Sequence, residues 1–170
     1  YNPIKTKDEF LAIGTNAQTM SKKYKLMNDI DFENSEIQTF SSYASRNTIT
    51  WKGIFDGQGY SLKNFIVTKA TNPASYDAGI FGYMSKDSII KNTNFINATI
   101  SNRGSVIAAW VEGVVENCFV EINYSEISGE TNANNPSGGA VAKIATGGIV
   151  QNIVVKMDYA ASITNFTYTG

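Results

Sequence analysis

Residues 79–84 read Gly-Ile-Phe-Gly-Tyr-Met and are followed at 89–92 by Ile-Ile-Lys-Asn, and this pair of motifs decides the fold. The chain repeats the pair at 139–152, as Gly-Ala-Val-Ala-Lys-Ile and then Ile-Val-Gln-Asn. A third copy at 105–117, Ser-Val-Ile-Ala-Ala-Trp and then Val-Val-Glu-Asn, is one residue shorter, and a fainter fourth copy ends in Ser-Leu-Lys-Asn at 61–64. Repetition of this kind is typical of folds that stack one structural unit on the next.

Residues around the last Asn of each copy alternate between apolar and polar, which is the pattern of a strand with one buried face. β-branched and aromatic residues are abundant in these segments, and the 3.6-residue period of a helical repeat is absent. The final asparagines are 28, 25 and 35 residues apart, and the longest interval contains a turn-rich polar stretch. We therefore predict an all-β chain in which each repeat is one coil of a parallel β-helix, with residues 126–138 as an inserted loop.

The asparagines that end the four copies are predicted to form one column at a corner of the solenoid. Asparagine tolerates the left-handed backbone conformation that a sharp corner requires. Asparagines on successive coils can also hydrogen-bond to one another through their amides. The predicted structural column consists of Asn64, Asn92, Asn117 and Asn152.

Two further columns are predicted from the first motif of each copy. One column contains small residues, which indicates a tight inward position, and consists of Gly82, Ala108 and Ala142. The other is predicted to lie in the core and consists of Met84, Trp110 and Ile144.

The N-terminal segment carries a helix signal. Thr6-Lys7-Asp8-Glu9 has the capping-box pattern, in which a threonine lies three residues before a glutamate. We predict a short helix from about Lys7 to Ala12, within an N-terminal cap of about residues 1–20 that covers the open end of the solenoid.

The remaining residues are assigned to stacked coils over 24–160, within a single domain of residues 1–170 that is expected to be a piece of a longer protein. Residues 24–32 are predicted to be a strand with a turn inside it, and residues 51–60 a strand, a glycine-rich turn and a second strand. The polar stretch 33–47 is predicted to be irregular.

Three segments together resemble the GLUG-motif family of bacterial surface and secreted proteins. They are YKLMNDIDF at 24–32, WKGIFDGQGYSLKNFIV at 51–67 and AGIFGYMSKDSIIKNTNFINATI at 78–100. The family pattern is a strand ending in NDID, a G-x-F-D-G-x-G-Y-x-I-x-N-L segment, and G-L-F-G followed by I-x-N-L. Residues 104–160 resemble it as degenerate copies. The resemblance implies a right-handed parallel β-helix in a secreted or wall-attached, adhesin-like protein, with mainly architectural recurring residues.

The composition argues against several classes of function. The chain has no histidine, which removes the commonest general base and the commonest metal ligand. Its single cysteine, Cys118, is predicted to be a packed thiol. Fourteen basic and fifteen acidic side chains leave a net charge of −1, which gives no electrostatic reason to bind nucleic acid or an anionic membrane. No apolar run is long enough to insert into a membrane.

Few residues are candidates for chemistry or binding. No catalytic residue, cofactor or metal site is predicted, because the aligned copies do not place acids on successive coils. Asp56 is predicted to be a turn residue, and Asp29 and Asp31 are the carboxylates that could bind calcium. Aromatic side chains on a rigid wall can hold sugars or proteins, and the candidates for such a ligand site are Tyr83, Tyr124 and Tyr159.

These observations favour a non-enzymatic extracellular or cell-surface module that acts in adhesion, ligand presentation or spacing. The expected partners are a host or cell-surface glycan or protein, or a second copy of the chain. Two alternatives stay open: a decoration or receptor-binding fibre domain of a phage virion, and a polysaccharide-active lyase or hydrolase.

Overall fold

Parallel strands stacked in register make up most of the structure. The computed structural model describes residues 1–40, 50–68, 79–100, 104–125 and 139–157, and of residues 124 and 125 it describes the backbone. The strands are β1 (Asn2–Ile4), β2 (Lys23–Leu26), β3 (Ile30–Gln38), β4 (Ile54–Asp56), β5 (Ser61–Thr68), β6 (Tyr83–Met84), β7 (Ile89–Lys91), β8 (Asn94–Ile100), β9 (Ala108–Val111), β10 (Val114–Ser125), β11 (Val141–Ile144) and β12 (Ile149–Met157).

The strands form three rows along the solenoid axis. The first row is β1, β2, β4, β7 and the first parts of β10 and β12, and the second is β3, β5, β8 and the later parts of β10 and β12. The third row is β6, β9 and β11. Every pairing between the described strands is parallel. The predicted parallel β-helix is therefore confirmed, with about three turns.

The predicted N-terminal helix is confirmed, and the capping box forms as its sequence indicates. Helix α1 (Lys7–Leu11) begins after Thr6, whose hydroxyl accepts a hydrogen bond from the Glu9 backbone N–H at 3.2 Å. The Glu9 carboxylate accepts in return from the Thr6 N–H at 3.2 Å. A 3-10 helix (Ala12–Thr15) continues the segment, and a second one spans Thr19–Ser21.

Phe10 of α1 covers the N-terminal end of the core. Its side chain is fully buried and contacts Phe32 and Phe55 edge-on, with ring centroids 5.5 and 5.6 Å away. It also lies near Phe40 and Phe81. The helix therefore covers apolar rings that would otherwise face solvent at this end.

Apolar residues in register on successive coils build the interior. Burying each of these side chains contributes about 1.5–3 kcal/mol relative to exposure. Because one coil covers the next, the buried columns run along the axis, and two of them are Phe55, Ile90 and Val115, and Leu62, Phe95 and Val120.

Residues 35–38 of the polar stretch 33–47 form a regular strand, contrary to the sequence-based expectation. Residues 35–38 belong to β3 and pair with 65–68 of β5, after a register shift at Glu33 and Asn34, which both have positive φ. Ile37 is the buried residue of this segment, and its polar neighbours face outward. Residues 41–49 lie outside the described part of the chain. Among the helices described, none is long and apolar enough to cross a membrane.

Candidate functional site

Left-handed asparagines bend the coils at two corners. Each of these residues has a φ between 52° and 55°, and they are Asn64, Asn92, Asn97, Asn117 and Asn152. Asn92, Asn117 and Asn152 lie where the chain passes from the first row of strands to the second, and Asn64 and Asn97 lie at a bend within β5 and β8 of the second row. The corner side chains stack along the axis and hydrogen-bond from coil to coil, so the corners form two polar ladders.

The longer ladder begins at Asp56 and ends at Asn152. The Nδ2 of Asn92 donates to Asp56 Oδ1 at 3.1 Å, and the Nδ2 of Asn117 donates to Asn92 Oδ1 at 3.3 Å. Asn152 Nδ2 then donates to Asn117 Oδ1 at 3.0 Å. Every bond has the same direction, from the later coil to the earlier one.

The shorter ladder begins at Asp31. Asn64 Nδ2 donates to both carboxylate oxygens of Asp31, at 3.0 and 2.9 Å, and Asn97 Nδ2 donates to Asn64 Oδ1 at 2.7 Å. Asn64 is thus not in the column of Asn92, Asn117 and Asn152, and the prediction of one column is wrong in this respect. The register places Leu62 beside Phe95, so the fourth copy of the motif belongs to the next corner of its coil.

Asn97 and the two aspartates were missed by the sequence alignment of the copies. Asn97 lies 33 residues after Asn64, which is a spacing that the final-asparagine alignment does not contain. Asp56 lies one residue before Gly57, and Gly57 occupies the corner that asparagine takes in later coils. An alignment on the strands before each corner, rather than on the asparagines, would have placed Asn97 beside Asn64 and Asp56 next to the corner of Asn92.

Asp56 and Asp31, the carboxylates at which the two ladders begin, have lowered pKa values. The pKa of Asp56 is lowered: burial alone would raise it, but hydrogen bonds from the Gln58 backbone and the Asn92 amide outweigh burial. Lys91 Nζ lies 3.5 Å from Asp56 Oδ2 and adds to the effect. Hydrogen bonds from the Glu33 backbone and from Asn64 lower the pKa of Asp31.

Acid should therefore destabilise the fold through these carboxylates. A carboxylate whose pKa is lower in the folded chain contributes stability above its unfolded pKa of about 4, and that contribution is lost as the pH falls through the folded value. We expect the free energy of unfolding, measured in urea, to decrease as the pH is lowered below about 4. The Asp56→Asn variant should lose less of this free energy than the wild type. Equal pH dependence in the two proteins would contradict this role for Asp56.

The calcium candidates already have donors on their oxygens. Asp29 accepts from the Lys63 ammonium and the Ser61 N–H, and these contacts lower its pKa, with the Lys63 hydrogen bond as the largest cause. Asp31 accepts from the Glu33 N–H and from Asn64. The described residues include no group of three or more Cys, Asp or Glu side chains placed to hold a metal ion. A calcium ion would have to displace these donors.

Tyr83 lies in an aromatic cluster on the third row of strands. Its ring stacks on Trp110 at a centroid distance of 5.3 Å and an interplanar angle of 11°, and the Lys143 ammonium lies 4.3 Å from the centre of the Trp110 ring. Glu112 Oε1 accepts hydrogen bonds from Tyr83 Oη at 3.0 Å and from Trp110 Nε1 at 3.2 Å. The Tyr83 ring face that meets Trp110 is covered, so a sugar cannot stack there.

The expected core column with Trp110 is wrong. Register places Trp110 beside Tyr83 and Lys143, and Val111 beside Met84 and Ile144. The connection that follows β9, from Val111 to Val114, is two residues shorter than the matching connections from Met84 to Ile89 and from Ile144 to Ile149. In register the first motif of the third copy therefore begins at Val106 and not at Ser105, which moves Trp110 outward. For the same reason the small column is Gly82, Ala109 and Ala142, with Ala109 in place of Ala108.

Cys118 is a packed thiol, as its position in the repeat predicts. Burial raises its pKa to about 11, and its Sγ donates to the Glu116 carbonyl at 3.2 Å. The thiolate, which is the nucleophile, is therefore scarce at neutral pH. Tyr159 and the side chain of Tyr124, the other two candidates for ligand binding, lie outside the described residues.

The fold and the ladders define the chain as a parallel β-solenoid with polar corner ladders. Comparison with protein-family models, with curated proteins and with solved structures finds no match. The resemblance to the GLUG-motif family, and the role that it implies, stay predictions.

Proposed function

We propose that the chain is a non-enzymatic β-solenoid module of an extracellular or cell-surface protein, which presents a rigid outer face to a partner or spaces neighbouring domains. One observation carries the proposal. The carboxylates that stand at the corners, Asp29, Asp31 and Asp56, bind N–H and amide donors of their own turn or of the next coil. These carboxylates therefore serve as hydrogen-bond acceptors that hold one coil on the next.

A rigid wall suits presentation because its surface groups keep fixed spacings. Two of the cross-coil contacts on the outside of the last described coils are polar: Gln151 donates to Glu116 at 2.9 Å and Lys156 to Glu121 at 2.9 Å. Because the side chains of such a surface are already ordered, binding of a partner costs little conformational entropy, which favours binding. The expected partner is a glycan or protein on a cell surface.

The cluster of Tyr83, Trp110, Glu112 and Lys143, which we call the Glu112 cluster, supports contact through ring edges and polar groups. The hydrogen bonds from Tyr83 and Trp110 fix the Glu112 carboxylate, and Lys143 places a positive charge over the Trp110 ring. Such a surface fits hydroxyl or amide groups of a partner better than the flat face of a sugar ring.

The enzymatic alternative is tested by turnover of acidic polysaccharides. We expect the purified chain to release no new reducing ends from polygalacturonate or alginate beyond a buffer control. Asp56→Asn is the matched variant, because an asparagine keeps the oxygen that accepts from Asn92 and Gln58 and removes the carboxylate. Turnover by the wild type that disappears in a folded Asp56→Asn variant would overturn the proposal.

A further inference from the structure

The two ends of the solenoid are built differently. The N-terminal end is closed to another strand: Pro3 lies in the edge strand β1, and proline cannot donate to a ladder. Helix α1 packs beside β3, where the Lys7 ammonium donates to Ser35 Oγ at 2.8 Å. The shorter asparagine ladder also starts here, on the Asp31 carboxylate of β3, which accepts hydrogen bonds and cannot donate them.

The C-terminal end has none of these devices among the described residues. β12 pairs with β10 on one edge, and no described strand pairs with its other edge. The strand contains no proline and carries one charged residue, Lys156. It is a long edge strand with strand-forming residues, of the kind that accepts another strand.

Core positions on the last coil are exposed because nothing described covers them. Val155 is 42 % exposed, whereas its partner in register, Val120, is fully buried. Met157 is 52 % exposed beside fully buried Ile122. Ile144, 51 % exposed beside fully buried Val111, continues the pattern on the third row. The last coil therefore has the side chains of an interior coil.

The direction of the ladder specifies what can stack here. Asn152 donates to Asn117, and its own Oδ1 has no hydrogen-bond partner among the described residues. The next residue in the ladder must therefore be a donor, as Asn117 and Asn152 are in the coils below. A second copy fits poorly: its N-terminal end is closed, and joining two C-terminal ends with a continuous core would pair the two β12 strands antiparallel, unlike the parallel strands of the solenoid.

We propose that the free edge of β12 is a docking edge for a parallel strand of the same repeat, with asparagine at the corner next to Asn152. The strand's backbone would pair with β12, its asparagine Nδ2 would donate to Asn152 Oδ1, and its apolar residues would cover Val155 and Met157. This edge is separate from the Glu112 cluster, so it can be tested independently of the proposed function.

A labelled peptide that copies Ile149–Met157 is the probe, with fluorescence anisotropy on the full chain as the readout. We expect saturable binding. A peptide with aspartate in place of the asparagine should bind at least about five-fold more weakly, because it cannot donate to Asn152. Equal binding of the two peptides, or no binding, would overturn the proposal.

Two neighbouring valines give a matched pair of variants. Val155 belongs to a core column, and Val154, 59 % exposed, stands beside Phe119 on the other face of the strand. We expect Val155→Lys to weaken peptide binding at least about ten-fold, since the charge would be buried, and Val154→Lys to change it less than about two-fold. Equal effects would overturn the proposal, as would light scattering that shows a dimer of the chain broken by Val155→Lys. Thermal unfolding of both variants checks that each is folded.

Discussion

Replacing Asn92 by leucine should lower the free energy of unfolding by about 2–4 kcal/mol. Asn92 has a φ of 52°, and a residue other than glycine or asparagine in that conformation costs about 1–3 kcal/mol. The substitution also removes the hydrogen bond to the Asp56 carboxylate and the acceptor for Asn117, and bonds to charged groups contribute about 1.5–3 kcal/mol each. Urea unfolding monitored by circular dichroism measures the loss.

The Asn92→Gly variant separates the cost of the backbone conformation from the loss of the ladder hydrogen bonds. Glycine adopts positive φ without strain but has no amide, so it should recover about 1 kcal/mol relative to leucine and still be less stable than the wild type. A loss below about 0.5 kcal/mol for Asn92→Leu, the size of an ordinary surface substitution, would reject the ladder as a source of stability.

The Phe81→Ala variant should be destabilised by about 3–5 kcal/mol, the usual cost of removing a buried phenylalanine. Phe81 is fully buried, and its ring centroid lies 4.9 Å from that of Trp51, 5.4 Å from Phe55 and 5.7 Å from Phe40. The alanine would leave a cavity between the rings under helix α1 and those of the coils. The same denaturation experiment measures the effect.

Tyr1→Ala is the matched control for this substitution. Tyr1 is 57 % exposed at the N-terminus, so removing its ring should change the free energy of unfolding by less than about 0.5 kcal/mol. If Phe81→Ala were as mild as Tyr1→Ala, the aromatic rings would not form the core that the structure shows.

Local signals in the sequence predicted the elements that depend on local chemistry. The Thr6 and Glu9 pair predicted helix α1, because a capping box is satisfied within four residues. The asparagine at each corner predicted a left-handed turn, because few other residues adopt that backbone conformation without cost.

Register between distant strands was harder to predict. Asn64 and Asn92 end similar motifs, yet they lie at different corners, since the register pairs Asn64 with Asn97. A shift of one residue exchanges the two faces of a strand, and this is why the shorter third copy placed Trp110 outside and not in the core. Such offsets depend on the length of each connection, which the motif pattern does not contain.

The carboxylates at the feet of the ladders show a second limit of sequence reasoning. Asp56 was predicted to be a turn residue that bonds its own backbone, and it does accept from the Gln58 N–H at 3.0 Å. Its bond to Asn92, 36 residues away, depends on the stacking of coils and could not be predicted from the turn alone.

The most direct test of the stacked ladders is a nuclear Overhauser experiment on the ¹⁵N-labelled chain, read from the side-chain amide protons of the corner asparagines. The structure predicts contacts from the amide of Asn152 to Asn117, from Asn117 to Asn92, and from Asn97 to Asn64. Contacts between Asn64 and Asn92, or contacts with sequence neighbours alone, would contradict the two ladders and the register on which the solenoid is built.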